Sequence, residues 1–139
     1  MLIDIVIQYM IMKDLADCRY FRAMDNTLLC ELLHPERVGL DLPYSIAHAV
    51  LQPGETSIHH RLKTSAEVYF ILEGAGEMHI DCETSPVRSG QAILIPPGSW
   101  QHIRNSGDFD LKILCLVSPG WRAEDEETDE NCPDRQNEK

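Results

Sequence analysis

Residues 54–74 (GETSIHHRLKTSAEVYFILEG) and residues 90–105 (GQAILIPPGSWQHIRN) decide the fold of this chain. Each stretch alternates strand-length runs of apolar residues with turn residues, such as Gly74-Ala75-Gly76 and Pro96-Pro97-Gly98. The same alternation of short apolar runs and turn residues extends from residue 42 to residue 117, and no long amphipathic helix interrupts it. Short strands joined by turns in this manner are typical of an all-β sandwich or barrel.

The charge of the 139-residue chain restricts its partners. It has 12 Lys+Arg against 23 Asp+Glu, a formal net charge of -11. This balance argues against nucleic acid and anionic membranes, which both attract clustered basic residues. The length predicts one domain. We place the barrel at residues 41–122, with residues 1–40 as an N-terminal extension that packs on the barrel or on a dimer partner. Residues 123–139 are acidic and almost free of apolar residues, which predicts a disordered tail.

Two further features concern compartment and assembly. Five cysteines without a CxxC pair, and no recognisable export signal, favour reduced thiols and a cytoplasmic protein. Residues 68–72 (VYFIL) are apolar on both faces of the predicted strand, so the outer face needs a cover. The N-terminal segment or a second subunit would supply it, and we favour a homodimer because twofold dimers are the commonest assembly.

The glycines, prolines and polar residues of the two stretches fall at fixed spacings. The first stretch has Gly54, His60, Glu67 and Gly74, and the second has Gly90, Pro96, Gly98, Gln101 and Asn105. In these residues the sequence resembles the cupin superfamily, and in particular its small, single-domain, conserved-barrel members that are similar to mannose-6-phosphate isomerase. The resemblance implies a double-stranded β-helix, or jelly-roll barrel, that binds a small molecule.

The resemblance also implies a divalent metal, Fe, Mn, Ni or Zn. Cupins usually bind it through two histidines and a glutamate of the first stretch and a histidine of the second. The matching positions here are His60, Leu62, Glu67 and Gln101. Leu62 cannot ligate a metal, and Gln101 offers an amide oxygen that binds transition metals more weakly than imidazole. An alternative is that His60 and Glu67 pair with each other, because unpaired buried charges are costly.

Strand alternation tests which side chains face the barrel interior. With a period of two, His60 and Leu62 point inward and His59 outward, while Gln101 and Ile103 point inward and His102 outward. A one-residue bulge would instead turn His102, or His59, inward.

The rest of the predicted pocket comes from the other strands. On the preceding strand, His48 either replaces a missing imidazole or is a surface or hydrogen-bonded histidine. The predicted ligand pocket consists of Leu62, Tyr69, Met78, Ile103 and Cys115.

Two functions follow from these features. The first is a metal-dependent cupin, an isomerase or a dioxygenase, with His60, Glu67 and Gln101 around the metal and His48 as a candidate extra ligand. The second is a metal-free, non-catalytic module that recognises a small ligand through His60, Glu67 and Gln101. The sequence identifies neither the catalytic residues nor the substrate.

Overall fold

The computed structural model describes residues 10–129 of the chain. Eleven strands cover about half of them: β1 Phe21–Arg22, β2 Leu28–Leu33, β3 Ser45–Leu51, β4 His60–Leu62, β5 Ala66–Glu73, β6 Ala75–Ile80, β7 Glu83–Arg88, β8 Ala92–Ile95, β9 Gln101–Asn105, β10 Leu111–Ser118 and β11 Glu126–Thr128. Helical structure in this range is short, with 3₁₀ turns at Leu15–Asp17 and Ala123–Asp125 and one α-helical turn, α1, at Pro35–Val38.

The strands form two antiparallel sheets. The first has the order β1-β2-β3-β10-β5-β8 and the second β11-β4-β9-β6-β7. Their facing sides enclose one core, to which strands of both sheets contribute Ile71, Met78, Ile95, Ile103 and Ile113. The structure therefore confirms the all-β jelly-roll barrel.

The turn at Gly74 and the buried side-chain amide of Asn105 close one end of the barrel. Gly74 has a φ of +88°, and a Cβ there would lie 2.7 Å from the carbonyl oxygen of Asp110, so a side chain is excluded. The side-chain nitrogen Nδ2 of Asn105 donates to the carbonyl oxygens of Leu51 and Phe109, both at 2.8 Å. These contacts give the glycine and asparagine of the two stretches a structural role.

The barrel extends beyond the predicted boundaries at both ends. Strand β2 pairs with β3 along most of its length, so residues 28–33 are part of the first sheet. At the other end β11 pairs with β4, and residues 123–129 are built into the second sheet instead of belonging to the acidic tail. The boundary at 122 was too early because a three-residue strand inside an acidic run has no apolar pattern. The remainder of the predicted tail, 130–139, lies outside the described residues.

The cysteines differ from expectation. Cys18 and Cys30 are placed as a disulfide pair with a Cα–Cα distance of 5.9 Å, which differs from the expectation of reduced thiols. Cys82 and Cys115 are free thiols. The cytoplasmic location stays a prediction. No helix within residues 10–129 combines the length and the hydrophobicity that crossing a bilayer demands.

The outer face of the first sheet is apolar and partly open. Phe70 and Leu72 on β5 and Leu94 on β8 keep 39%, 37% and 64% of their surface accessible. Register places Leu94 opposite Val68 on this face. The predicted apolar outer face of residues 68–72 is thus present. Of its two predicted covers, residues 1–9 of the N-terminal segment lie outside the described residues, and the homodimer stays a prediction.

Candidate functional site

A cavity of about 180 Å³ lies between the two sheets. Its apolar wall comes mainly from β2, β3, β9 and β10: Leu29, Ala47, Ala49, Leu51, Ile103, Ile113, Cys115 and Val117. Its polar wall is made by Asp25, Thr27, Glu31, His60, Glu67, Tyr69 and Glu126, and Arg22 and Trp121 also line it. For comparison, an apolar cavity of roughly 150 Å³ admits benzene. The volume therefore suits a molecule the size of a small ring.

His60 presents one defined nitrogen to this cavity. Its Nδ1 lies 2.6 Å from the carbonyl oxygen of Ile58, which can only accept, so Nδ1 carries the proton of the neutral ring. The other nitrogen, Nε2, lies 3.7 Å from Oδ2 of Asp25, beyond hydrogen-bond distance, although the side chain is only 2% exposed. The Ile58 contact thus fixes the tautomer and leaves the basic nitrogen facing Asp25.

Asp25 is held in place by the turn that follows β1. The amide nitrogen and the hydroxyl of Thr27 both donate to its Oδ1, at 3.1 and 2.8 Å. The amide of Ile58 donates to the Asp25 carbonyl oxygen at 2.7 Å, which ties this turn to the segment before β4. Oδ2 therefore remains directed toward His60. An Asp-Asn pair at residues 25–26 reads in the sequence only as a turn, so no sequence signal identified this carboxylate.

Glu67 and Gln101 form a second buried polar pair. Nε2 of Gln101 donates to Oε1 of Glu67 at 2.9 Å, and Oε1 of Gln101 has no hydrogen-bond partner within the described part of the chain. Burial raises the pKa of Glu67, and the His60 charge and the Gln101 hydrogen bond offset only part of that rise. Gln101 therefore positions the Glu67 carboxyl with its amide nitrogen and does not turn its oxygen toward it.

Glu126 is the third carboxyl of the site and comes from the C-terminal strand. Register sets Glu126 of β11 directly opposite Leu62 of β4. Directly opposed residues share a face, with Cβ atoms about 4.5–5.5 Å apart. Burial raises the pKa of Glu126 to about 7, while the His60 charge opposes the rise and the Asp25 and Glu67 carboxylates add to it. A carboxyl group thus stands beside the position where the resemblance expects a second imidazole.

Strand β11 is fixed by hydrogen bonds to the loop after β4. Oδ1 of Asp125 accepts from the amide and the hydroxyl of Thr64 at 2.9 and 2.6 Å, and Oδ2 accepts from the amide of Ser65 at 3.1 Å. Burial alone would raise the pKa of Asp125, but these bonds outweigh it and lower the pKa. On the outside, Arg61 donates two bonds to Oε2 of Glu127. These contacts hold Glu126 over the cavity.

His48 points away from the cavity. On β3 the alternate residues Ala47 and Ala49 line it, so His48 lies on the opposite face, with Nδ1 2.7 Å from the hydroxyl of Tyr20. Burial lowers the pKa of His48. Placing His48 in the metal site was therefore wrong, because the parity of β3 directs it outward.

The bulge that would have turned a neighbouring histidine inward is absent from the described β4–β9 and β6–β9 pairings. His102 stacks on His79 at 4.1 Å between ring centroids, on the outer side of the second sheet. His59 stacks on Trp100 at 5.1 Å. The alternative of an inward His102 or His59 is thus overturned, and Ile103 is the β9 residue that lines the cavity.

The predicted ligand pocket divides into two groups. Tyr69, Ile103 and Cys115 line the cavity, and burial raises the pKa of both the Tyr69 hydroxyl and the Cys115 thiol well above their usual values. Leu62 and Met78 are buried but do not line it. Met78 borders a depression between β6, β7 and β8 instead. The prediction was wrong for these two because strand parity gives the face of a side chain and not its depth in the barrel.

Comparison with known proteins agrees with this architecture. Residues 47–117 match the cupin domain. The chain belongs to the cupin family. It is 40% identical over 103 residues to the uncharacterized protein MJ1618 of Methanocaldococcus jannaschii, over 74% of this chain and 82% of that protein.

Two other similar proteins carry functional descriptions. The oxalate-binding protein of Thermotoga maritima is 30% identical over 71 residues, which is 51% of this cupin and 59% of that protein. The structure of Pac13 of Streptomyces with uridine superimposes with a TM-score of 0.70 at 15% identity, over 88% of this cupin and 92% of that chain. Pac13 is described as a nucleoside dehydratase. At this identity the superposition shows the fold alone.

The donor atoms of this cupin do not complete the metal site that the resemblance implies. Leu62 supplies no ligand, and Gln101 directs its amide nitrogen, which cannot ligate, toward Glu67. Within residues 10–129, no group of three or more His, Cys, Asp or Glu side chains is placed to hold a metal ion. We therefore derive no chemical step through a metal, and the divalent cofactor stays a prediction.

Proposed function

We propose that this cupin binds a small organic molecule in the barrel cavity and transfers a proton on it, with Nε2 of His60 as the general base. The observation that carries the proposal is the hydrogen bond from His60 Nδ1 to the Ile58 carbonyl at 2.6 Å. It fixes the tautomer in which Nε2 has the lone pair. A base held in one orientation at a buried position is the arrangement that general-base catalysis requires.

Glu126 is suited to the complementary role of general acid. A carboxyl with a pKa of about 7 holds its proton in a large fraction of molecules at neutral pH and still releases it readily. His60 and Glu126 line the same cavity, so a bound molecule can lose a proton to one and gain a proton from the other. Isomerisation next to a carbonyl group and elimination of water are the reactions that such a pair supports.

Deuterium exchange into a simple ketone tests this proposal without the natural substrate. Cyclohexanone is a small ring with acidic hydrogens beside its carbonyl, and NMR follows their replacement in D₂O. We expect the wild-type protein to accelerate the exchange and His60→Gln to lose about 100-fold or more of that acceleration. His48→Gln is the matched control, because His48 lies on the outer face of the first sheet. Equal exchange by wild type and His60→Gln would rule out His60 as the base.

A metal-dependent isomerase or dioxygenase is the second candidate. It is favoured by the inward placement of His60 and Glu67, the two residues that match the family's ligand positions. A histidine that donates Nδ1–H to a backbone carbonyl is also common among metal ligands. Stoichiometric metal in the purified protein, lost in Glu67→Gln, would support this candidate over the metal-free one. Similarity to mannose-6-phosphate isomerase belongs to the same proposal.

We also propose a homodimer formed through the outer face of the first sheet. Phe70, Leu72 and Leu94 form an exposed apolar patch there. Contiguous apolar patches on soluble proteins often mark interfaces.

A further inference from the structure

We propose that the cavity accepts a neutral or cationic molecule with a hydroxyl or ammonium group and rejects small anions, oxalate and phosphorylated sugars included. This inference rests on the proposed ligand site and names the class of ligand that the site takes. It follows from the charges on the cavity wall and from the hydrogen bonds that those charges already make.

Carboxyl groups dominate the wall. Asp25, Glu67 and Glu126 line the same cavity as His60; Asp25 and Glu67 are buried, and Glu126 is half-buried. A carboxylate brought into this space would lie near three carboxyl groups in a medium that screens charge poorly, which is unfavourable when no cation compensates. A ligand hydroxyl or ammonium group instead donates to these same oxygens.

The cations near the cavity are already paired. Arg22 is half exposed at the wall, where it donates to Oε2 of Glu55 at 3.1 Å and to the carbonyl oxygen of Asn26 at 3.0 Å. Arg37 forms an ion pair at 2.8 Å with Glu31, which lines the cavity. His60 faces Asp25. Along the part of the lining that the structure describes, an incoming anion would thus have to displace an existing partner.

His60 also indicates that the ligand brings a polar group. Its side chain is only 2% exposed, and Nε2 faces the cavity without a hydrogen bond. A buried nitrogen in this position needs a donor, and a ligand hydroxyl or ammonium group supplies one. The opposite wall, formed by Ala47, Ala49, Leu51 and Ile113, requires the rest of the ligand to be apolar.

Three probes with one common ring test the charge preference. Benzylamine, benzyl alcohol and benzoate differ at the head group and share a ring that fits the cavity volume, and oxalate serves as a small dianion. NMR titration of the purified full-length protein measures their affinities. We expect benzylamine and benzyl alcohol to bind at least about tenfold more tightly than benzoate, with no binding of oxalate, a difference of about 1.4 kcal/mol or more. Benzoate or oxalate binding as tightly as the alcohol would overturn the inference, and so would failure of both the amine and the alcohol to bind.

A pair of variants on β11 assigns the preference to the cavity. Glu126→Gln should weaken benzylamine about tenfold and leave benzyl alcohol nearly unchanged, because only the amine needs the negative charge. Glu127→Gln is the matched control, since Glu127 pairs with Arg61 outside the barrel. An unchanged benzylamine affinity in both Glu126→Gln and Asp25→Asn would contradict the inference. These binding experiments and the exchange assay can fail independently. A cavity that binds anions would overturn the charge preference and leave His60 as the base. A cavity that binds cations could still contain a His60 that does not act as a base.

Discussion

Glu126 illustrates how one half-buried residue couples the site to stability. Its pKa rises to about 7, chiefly because burial disfavours the charged carboxylate. In the unfolded chain the same group titrates near the ordinary glutamate value. The folded protein therefore binds a proton that the unfolded chain has already lost, and folding stability falls as pH rises between the two pKa values.

We expect Glu126→Gln to remove this pH dependence. The wild-type free energy of unfolding should drop by roughly 1–3 kcal/mol between about pH 5 and pH 8. This energy is less than the full pKa shift would give, because solvent screens the partly exposed Glu126 carboxyl. The glutamine variant should show a smaller drop and exceed the wild type in stability at pH 8. Urea unfolding at a series of pH values measures the effect.

Glu127→Gln is the control for this series, since its exposed ion pair with Arg61 contributes little. Glu67 also has a raised pKa, so a residual slope in Glu126→Gln is expected from that group. Parallel stability curves for wild type and Glu126→Gln would show that Glu126 is not buried as described.

Strand β11 is the element that the sequence could not predict. The alternation of β4 and β9 was readable because each strand has a distinct inner and outer face, and it assigned to the inner face His60 and Ile103, which both line the cavity. Strand β11 has only three residues, all polar, and forms because it pairs with β4 and because Asp125, just before it, accepts hydrogen bonds from Thr64. Such long-range pairing leaves no local pattern, so Glu126 was assigned to a tail.

Substitution of Asp125 tests how this element is held. Asp125→Ala removes the acceptor for three hydrogen bonds from Thr64 and Ser65, and we expect a loss of about 2–4 kcal/mol of stability. Hydrogen exchange at the amide of Lys63, which donates to the Asp125 carbonyl, should accelerate as β11 separates from β4.

Glu124→Ala is the matched control, because this neighbouring carboxylate is 73% exposed and forms only a long ion pair with Arg122. Equal stability and equal exchange in the two variants would contradict the anchoring role of Asp125.

At the scale of the whole molecule, the apolar outer face of the first sheet predicts self-association. Analytical ultracentrifugation should find a dimer for the wild type. Phe70→Glu/Leu94→Glu should give a folded monomer, because it places two charges in the middle of the patch. Phe109→Glu is the control, since this residue is 81% exposed in the loop before β10. A monomeric wild type would contradict the proposed dimer.

The fold of this cupin was predictable from its turns and alternation, but the chemistry of its interior was not. The family resemblance identified the positions of His60, Leu62, Glu67 and Gln101. It gave no information on Asp25 and Glu126, which reach the cavity from outside the two motif stretches. Together these residues give the cavity one histidine and three carboxyl groups where the family pattern leads one to expect a metal centre.

Metal binding by the wild-type protein and by Leu62→His/Gln101→His tests that conclusion most directly. The double variant restores both missing imidazoles of the family's ligand set. After removal of metals with a chelator and equilibrium dialysis against Mn²⁺, Ni²⁺ or Zn²⁺, we expect the variant to retain about one equivalent and the wild type to retain substantially less. One tightly held equivalent in the wild type, lost in Glu67→Gln, would contradict the account.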